Sequence, residues 1–151
     1  MSTRTYTSRR ANILRALAEK LKDIDGSGAF LTDLQNNVHP RLKFWDEVVE
    51  FPAIHLNAGA ETRQYQAGGY KDRFLGVTIR CYVQDEEDAT EALNLLMEDI
   101  ETVIEENSRL EYADSQNNTF STQQITIVSI NTDEGVLEPL GVGEIDIEVR
   151  Y

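Results

Sequence analysis

The side chains best suited to proton transfer are the two histidines, His39 and His55. His39 precedes a proline in a segment without regular periodicity, and His55 lies in a segment with the composition of a strand. A catalytic histidine works with a nucleophile and an orienting carboxylate, and neither histidine has such a recognisable partner in the sequence. We therefore interpret both as structural or exposed histidines.

The single cysteine and the acidic and glycine-rich clusters also lack the pattern of a site. Cys81 alternates onto the apolar side of a strand, which is typical of a small buried hydrophobe. The carboxylates at 85–88 have the oxygen ligands that a divalent cation prefers, but the preference of helix starts for acidic residues explains them more simply. Gly141-Val142-Gly143 lacks the third glycine of a dinucleotide fingerprint. The sequence predicts no catalytic residue, no metal site and no cofactor.

Hydrophobic periodicity predicts an α+β fold, a single domain over residues 1–151 with the order α-β-β-β-α-β-β. The sheet is mostly antiparallel and the helices pack on one of its faces. Residues 29–43 have no sustained period and are expected to form a loop with a short helical turn. The expected helices span 9–24 and 85–107, and the expected strands span 48–56, 60–66, 73–83, 122–131 and 144–151, with a turn at Asn57-Ala58-Gly59.

Charge excludes some functions and suggests another. With 27 acids against 14 bases the formal net charge is −13, which excludes a basic-patch nucleic-acid binder and a protein of anionic membrane surfaces. No stretch approaches the ~20 apolar residues of a membrane span, and the N-terminus lacks an apolar signal core, so a soluble protein made in the cytoplasm is expected. One cysteine also favours a reducing compartment.

The charges are unevenly distributed along the chain. Residues 84–114 hold 12 acids against Arg109, and residues 1–22 hold six bases against Glu19: Arg4, Arg9, Arg10, Arg15, Lys20 and Lys22. If the fold places these segments on different faces, copies of the chain would meet head to tail. The alternative is that both are solvated helix surfaces.

The segment Glu61–Arg73 is a candidate interface. Its polar strand can bury little core, so we expect a projecting hairpin whose contacts come from outside the subunit. It carries the mixture of aromatic and basic side chains that is favoured at protein interfaces, namely Arg63, Tyr65, Tyr70, Lys71 and Arg73. Arg9 and Arg10 of the basic segment join this candidate set. The alternative is an ordinary exposed hairpin with two tyrosines lying on their own sheet.

A series of short motifs resembles one known family. The series comprises Phe51-Pro52 at the start of a strand, Gly59-Ala60-Glu61 at a turn, the pair Gly68-Gly69, a strand ending in Tyr82-Val83, and Met97-Glu98-Asp99-Ile100-Glu101 in a helix with an acidic start. Their order and spacing resemble the tail terminator (tail completion) proteins of long-tailed bacteriophages over about residues 10–150.

The resemblance implies a structural virion protein without catalytic activity. It implies a homo-oligomeric ring, typically a hexamer, that caps the tail tube protein, stops its polymerisation and meets the head-side connector at the neck. DNA would pass through the ring without specific binding, because an acidic ring repels phosphates. Two alternatives stay open: another neck or tail-tube structural protein, and a small-molecule-binding or enzymatic α+β domain with its pocket between sheet and helix.

Overall fold

The computed structural model describes residues 8–151, which contain two α-helices and seven strands connected by loops. Arg4 of the basic segment lies outside those residues. The α+β class is confirmed. The helices are α1 (Arg9–Leu21) and α2 (Ala89–Glu106), and the strands are β1 (Val38–His39), β2 (Ala53–Tyr65), β3 (Lys71–Gln84), β4 (Glu111–Ala113), β5 (Thr119–Ser121), β6 (Gln124–Thr132) and β7 (Leu140–Arg150).

Five of the strands form one sheet in the order β1-β2-β3-β7-β6. Neighbouring strands are antiparallel except for the short β1, which pairs parallel to β2. Strands β4 and β5 form a separate hairpin. Both were missed in the sequence, as was β1, because runs of two or three residues are too short to show a period of two.

The predicted turn at Asn57-Ala58-Gly59 is wrong. Strand β2 runs through these residues, and its pairing with β3 continues on both sides, from Ala53↔Tyr82 to Tyr65↔Lys71. The register shifts between Ala58 and Glu61, where β2 has one residue more than β3. The small and polar residues that suggested a turn therefore form a β-bulge. The strands predicted at 48–56 and 60–66 are joined in the single strand β2, which forms one long hairpin with β3.

Both helices cover the same face of the sheet, as predicted. Their apolar stripes join the inward side chains of the strands in one core, which includes Leu17, Leu21, Leu96, Ile100, Ile54, Ile79 and Ile147. The described part of the basic segment, helix α1, and the acidic helix α2 therefore lie on the same face of the sheet. Neither described helix is long and apolar enough to cross a membrane.

The glycines of β7 allow α2 to lie close to the sheet. A Cβ atom on Gly141 would stand 2.7 Å from Val83 Cγ2 and 3.1 Å from the carbonyl oxygen of Ala89, the first residue of α2. A Cβ on Gly143 would stand 3.0 Å from the sulfur of Met97. The pair Gly141 and Gly143 thus serves close packing between helix and strand.

Several acidic side chains at α2 have structural partners. Asp88 caps the helix by accepting a hydrogen bond from the backbone N–H of Glu91 at 3.0 Å. Asp85 accepts from the N–H groups of Glu87 and Asp88, and these bonds hold the pKa of its carboxyl below the usual value. The carboxylates at 85–88 thus act as helix-start groups. Within the described residues, no group of three or more His, Cys, Asp or Glu side chains could hold a metal ion.

One carboxylate of α2 is buried and joins the helix to a loop. Asp99 is 2% exposed and accepts hydrogen bonds from the N–H of Leu31 at 2.9 and 3.0 Å and from the N–H of Thr32 at 2.8 Å. The Thr32 hydroxyl also donates to it, at 2.6 Å. Asp99 therefore fixes the loop after α1 against α2.

Candidate interface: the β2–β3 arm and a cleft at the far end of the hairpin

The β2–β3 hairpin extends beyond the rest of the sheet. Residues 63–73, called the arm below, pair as strand residues only with each other among the described strands, because β7 pairs with β3 from Phe74 onward and β1 pairs with β2 only near residues 54–55. The tip is closed by a hydrogen bond from the N–H of Gln66 to the carbonyl of Tyr70 at 2.7 Å. Gly68 and Gly69 have φ of 81° and 84° there, a conformation that favours glycine.

Four of the five hairpin residues in the candidate set share one face of the arm. Arg63 lies opposite Arg73, and Tyr65 lies opposite Lys71. Because side chains alternate along a strand, all four point to the side that carries the helices further along the sheet. Tyr65 is 73% exposed, and Tyr70 in the tip is 76% exposed. The arm thus presents aromatic and basic groups together.

A cluster of arginines and aromatic rings supports the base of the arm. The guanidinium of Arg9, at the start of α1, lies 5.1 Å from the ring centres of Phe120 and Tyr151 and donates to the Tyr112 hydroxyl at 2.7 Å. Arg73 lies over the other side of this cluster, 5.6 Å from the Tyr151 ring. These cation–π contacts join α1, β3 and the β4–β5 hairpin.

Glu61 is the polar centre of the same cluster. Its carboxylate accepts hydrogen bonds from the Tyr151 hydroxyl and from Arg63 Nε at 2.8 Å, and Arg10 Nε lies 3.9 Å away. Burial alone would raise the pKa of Glu61, but these donors and the charges of Arg63 and Arg10 hold it below the usual value. Burial and the bond to Glu61 raise the pKa of Tyr151 to about 12. Arg10 also donates to the carbonyl of Gly59 in the bulge, at 2.6 Å.

The structure therefore divides the candidate residues into two groups. Tyr65, Tyr70 and Lys71 are exposed on the arm. Four arginines make contacts within the subunit at the base of the arm, namely Arg9, Arg10, Arg63 and Arg73. The partners Glu61, Tyr112, Phe120 and Tyr151 were not identified as a cluster from the sequence, because residues this distant along the chain are brought together only by the tertiary fold.

A second exposed surface lies at the far end of the same hairpin. Residues 40–52 form a long loop, and within it residues 42–49, called the apolar loop below, expose four large apolar side chains: Leu42 (38%), Phe44 (52%), Trp45 (45%) and Val49 (81%). The Tyr82 hydroxyl donates to the carbonyl of Lys43, and Val48 is buried beside Ala53 and Tyr82. The loop is therefore anchored on β2 and β3. The predicted strand over 48–56 is wrong for its first five residues, because β2 begins at Ala53 and residues 48–52 belong to the loop.

The apolar loop borders a cleft of about 470 Å³, whose lining includes Glu47, Val49, Glu50, Arg41, Lys43 and the two histidines. His39 and His55 stack with ring centres 5.0 Å apart, and His55 meets the Tyr82 ring edge-on at 5.7 Å. Burial lowers the pKa of His55, as do the charges of His39, Lys43 and Arg41, although its bond to the Arg41 carbonyl opposes the shift. This proximity of the two histidines was not predicted.

Comparison with known proteins gives two matches over nearly the whole chain. A family model described as Bacteriophage Tail Tube Terminator Protein matches residues 7–151. The chain is also 36% identical, over 149 residues, to the protein named "Tail tube terminator protein p142" of Escherichia phage T5, and the match covers 94% of this chain and 92% of that protein.

Proposed function

The chain belongs to the family of bacteriophage tail tube terminator proteins, and from this premise we propose that it forms a ring of identical subunits that caps the tail tube. The ring, a hexamer, binds the last layer of tube protein and stops its polymerisation. Its free side is the joining surface for the head-side connector, so that the protein lies at the neck end of the virion tail. Residues 1–151 act as one domain in this assembly, a view supported by the core that unites both helices with the sheet.

The arm is the observation that supports assembly most directly. It projects from the sheet, buries little apolar surface of its own and exposes Tyr65, Tyr70 and Lys71. Tyrosine is one of the residue types that carry most of the binding energy at protein interfaces, so two exposed tyrosines on a projecting hairpin favour an interface role. We assign the arm to contact with a neighbouring subunit, and we assign Arg9, Arg10, Arg63 and Arg73 to the interface as the residues that hold the arm in position.

The charge of the chain supports passage of DNA without binding. A ring of six copies multiplies a formal charge of −13 per subunit, so the field near its channel repels phosphates. The proposal assigns no catalytic step to any residue, because termination of a polymer requires only a surface that binds one tube layer and offers no site for the next.

The experiment that tests this function is polymerisation of the cognate tail tube protein with and without the terminator. We expect tubes of limited length that carry a ring at one end in electron micrographs, whereas the tube protein alone gives longer tubes without the ring. The proposal would be contradicted if the tubes had the same length with and without the terminator and the terminator stayed monomeric when mixed with the tubes. A gel-shift assay of duplex DNA at moderate salt adds a check, since tight binding would contradict passive passage.

A further inference from the structure

We propose that the cleft beside the apolar loop receives the arm of a second copy of this chain, so that every subunit of the ring both inserts an arm and accepts one. This inference rests on the proposed ring and identifies the two surfaces that form its subunit contact.

The apolar loop has the character of a binding surface that is already formed. Phe44, Trp45 and Val49 are exposed within six residues of one another, a density that isolated surface hydrophobes do not have. The contacts of Tyr82 with Lys43 and of His55 with Arg41 fix the loop on the sheet. A surface held in this way loses little conformational entropy on binding.

The arm fits this surface in size. Its two exposed tyrosines, Tyr65 and Tyr70, each offer a large apolar ring with a polar tip. A cleft of about 470 Å³ has room for an aromatic side chain and its neighbours. Burial of the tyrosines in the cleft would also cover Leu42 and Val49, the exposed apolar residues of its lining, so one contact would remove apolar groups of both subunits from water.

The charges of the two surfaces are complementary. Residues 63–73 of the arm hold three bases, Arg63, Lys71 and Arg73, against one acid, Asp72, although the chain as a whole is strongly acidic. Residues 44–50 hold three acids and no base. Arg41 and Lys43 also line the cleft, so we assign the contact of the arm's bases to Glu47 and Glu50, which are exposed in the lining. Opposite charges at these positions fix the orientation of the docked arm.

The position of the two surfaces makes the contact intermolecular. The arm includes Lys71 at the start of β3, and the apolar loop is anchored to Tyr82 near its end, eleven residues later. At about 3.4 Å per residue the strand separates them by about 37 Å, so an arm cannot reach the cleft of its own subunit. A contact between two different surfaces of identical chains is heterologous, and such contacts close into rings.

Disulfide trapping tests the contact directly. In the variant Tyr70→Cys/Val49→Cys, mild oxidation of rings formed on tubes should link neighbouring subunits into a ladder that ends at the covalent ring on a non-reducing gel. The native Cys81 is fully buried and does not compete. The control is Tyr70→Cys/Glu98→Cys, in which the second cysteine replaces an exposed residue of α2. We expect no ladder from the control.

A charge exchange provides a second test that does not depend on cysteine chemistry. Lys71→Glu and Glu50→Lys should each weaken assembly about tenfold, because each brings like charges together in the docked contact. The double variant should recover most of the loss, and thermal melting of the isolated subunits should differ little among the three variants.

The outcomes separate this inference from the proposed function. Wild-type rings that limit tube length, with no disulfide ladder and no rescue by the double variant, would overturn the docking of arm and cleft and leave the terminator function intact. A wild-type protein that neither forms rings nor limits tube length would overturn both.

Discussion

Tyr151 donates a hydrogen bond to Glu61 across 90 positions of the sequence. Tyr151 directly follows β7 and Glu61 lies in β2, so this bond connects the two strands that flank β3. The same tyrosine ring contacts the guanidinium groups of Arg9 and Arg73, at 5.1 and 5.6 Å from its centre. The base of the arm is thus held by one residue that uses both its hydroxyl and its ring.

Removal of the Tyr151 hydroxyl should destabilise the fold in a pH-dependent way. Tyr151→Phe keeps the ring but deprives an ionised carboxylate of a donor, so we expect a loss of about 1–3 kcal/mol in the free energy of unfolding at pH 7. The pKa of Glu61 is lowered in the folded state from 4.5, so its contribution is present above about pH 4.5 and is lost as the pH falls through the lower folded value.

The measurement is urea unfolding of both proteins at pH 7 and at successively lower pH. The difference in the free energy of unfolding between the wild type and Tyr151→Phe should become smaller as the pH is lowered. Tyr70→Phe is the control, since the Tyr70 side chain is 76% exposed at the tip of the arm, and it should match the wild type within about 0.5 kcal/mol. A gap that stays constant down to the acid range would contradict the role of ionised Glu61.

Truncation of the arm tyrosines should separate folding from assembly. Tyr65→Ala/Tyr70→Ala removes two exposed rings, so the melting temperature of the isolated subunit should change little, while ring formation should weaken by about 2–4 kcal/mol if both are anchors. Sedimentation and electron microscopy of rings on tubes measure the second effect. Equal assembly at equal stability would remove the arm from the interface.

The buried carboxylate of α2 should be essential to the fold. Asp99→Ala leaves the N–H groups of Leu31 and Thr32 without their acceptor, and we expect a loss of about 3 kcal/mol in the free energy of unfolding. Glu98→Ala changes the exposed neighbour on the same helix and should stay within about 0.5 kcal/mol of the wild type. Chemical denaturation of the two variants under one condition makes the comparison, and similar losses would contradict it.

His55 should make the fold less stable as the pH falls below neutrality. Its pKa is lowered in the folded state from 6.5, so the unfolded chain takes up a proton first, and the stabilisation present above about pH 6.5 is lost as the pH falls through the folded value. Melting temperatures of the wild type and His55→Gln at pH 7.5 and 5.5 should show a smaller pH response for the variant. An equal response would assign the dependence to other groups.

The sequence predicts the helices and strands of this fold wherever the hydrophobic periodicity continues over many residues. Helix α2 and strand β3 carry apolar stripes of the expected period, and Asp88 caps α2 by a local bond that its position in the sequence already indicates. The bulge at Ala58 to Glu61 could not be distinguished from a turn, because small and polar residues suit both and only pairing with β3 decides between them.

The candidate site was predictable in part for the same reason. The exposed tyrosines of the arm follow from a polar strand next to two glycines, which is local information. The contacts of Arg9 with Tyr112 and Tyr151 depend on tertiary packing over more than 100 positions. Apolar and β-branched residues at 48–52 resemble a strand in the sequence, and only the tertiary fold shows that they belong to a loop anchored by Tyr82.

The length of strand β3 would set the radius of the proposed ring. If each arm occupies the cleft of the next subunit, the distance between them within a subunit equals the side of the polygon that the contacts describe. A hexagon has a circumradius equal to its side, so a β3 span of about 37 Å sets a contact circle of about 37 Å radius. Two residues added to each strand of the hairpin keep every side chain on its face and should widen that circle by about 7 Å.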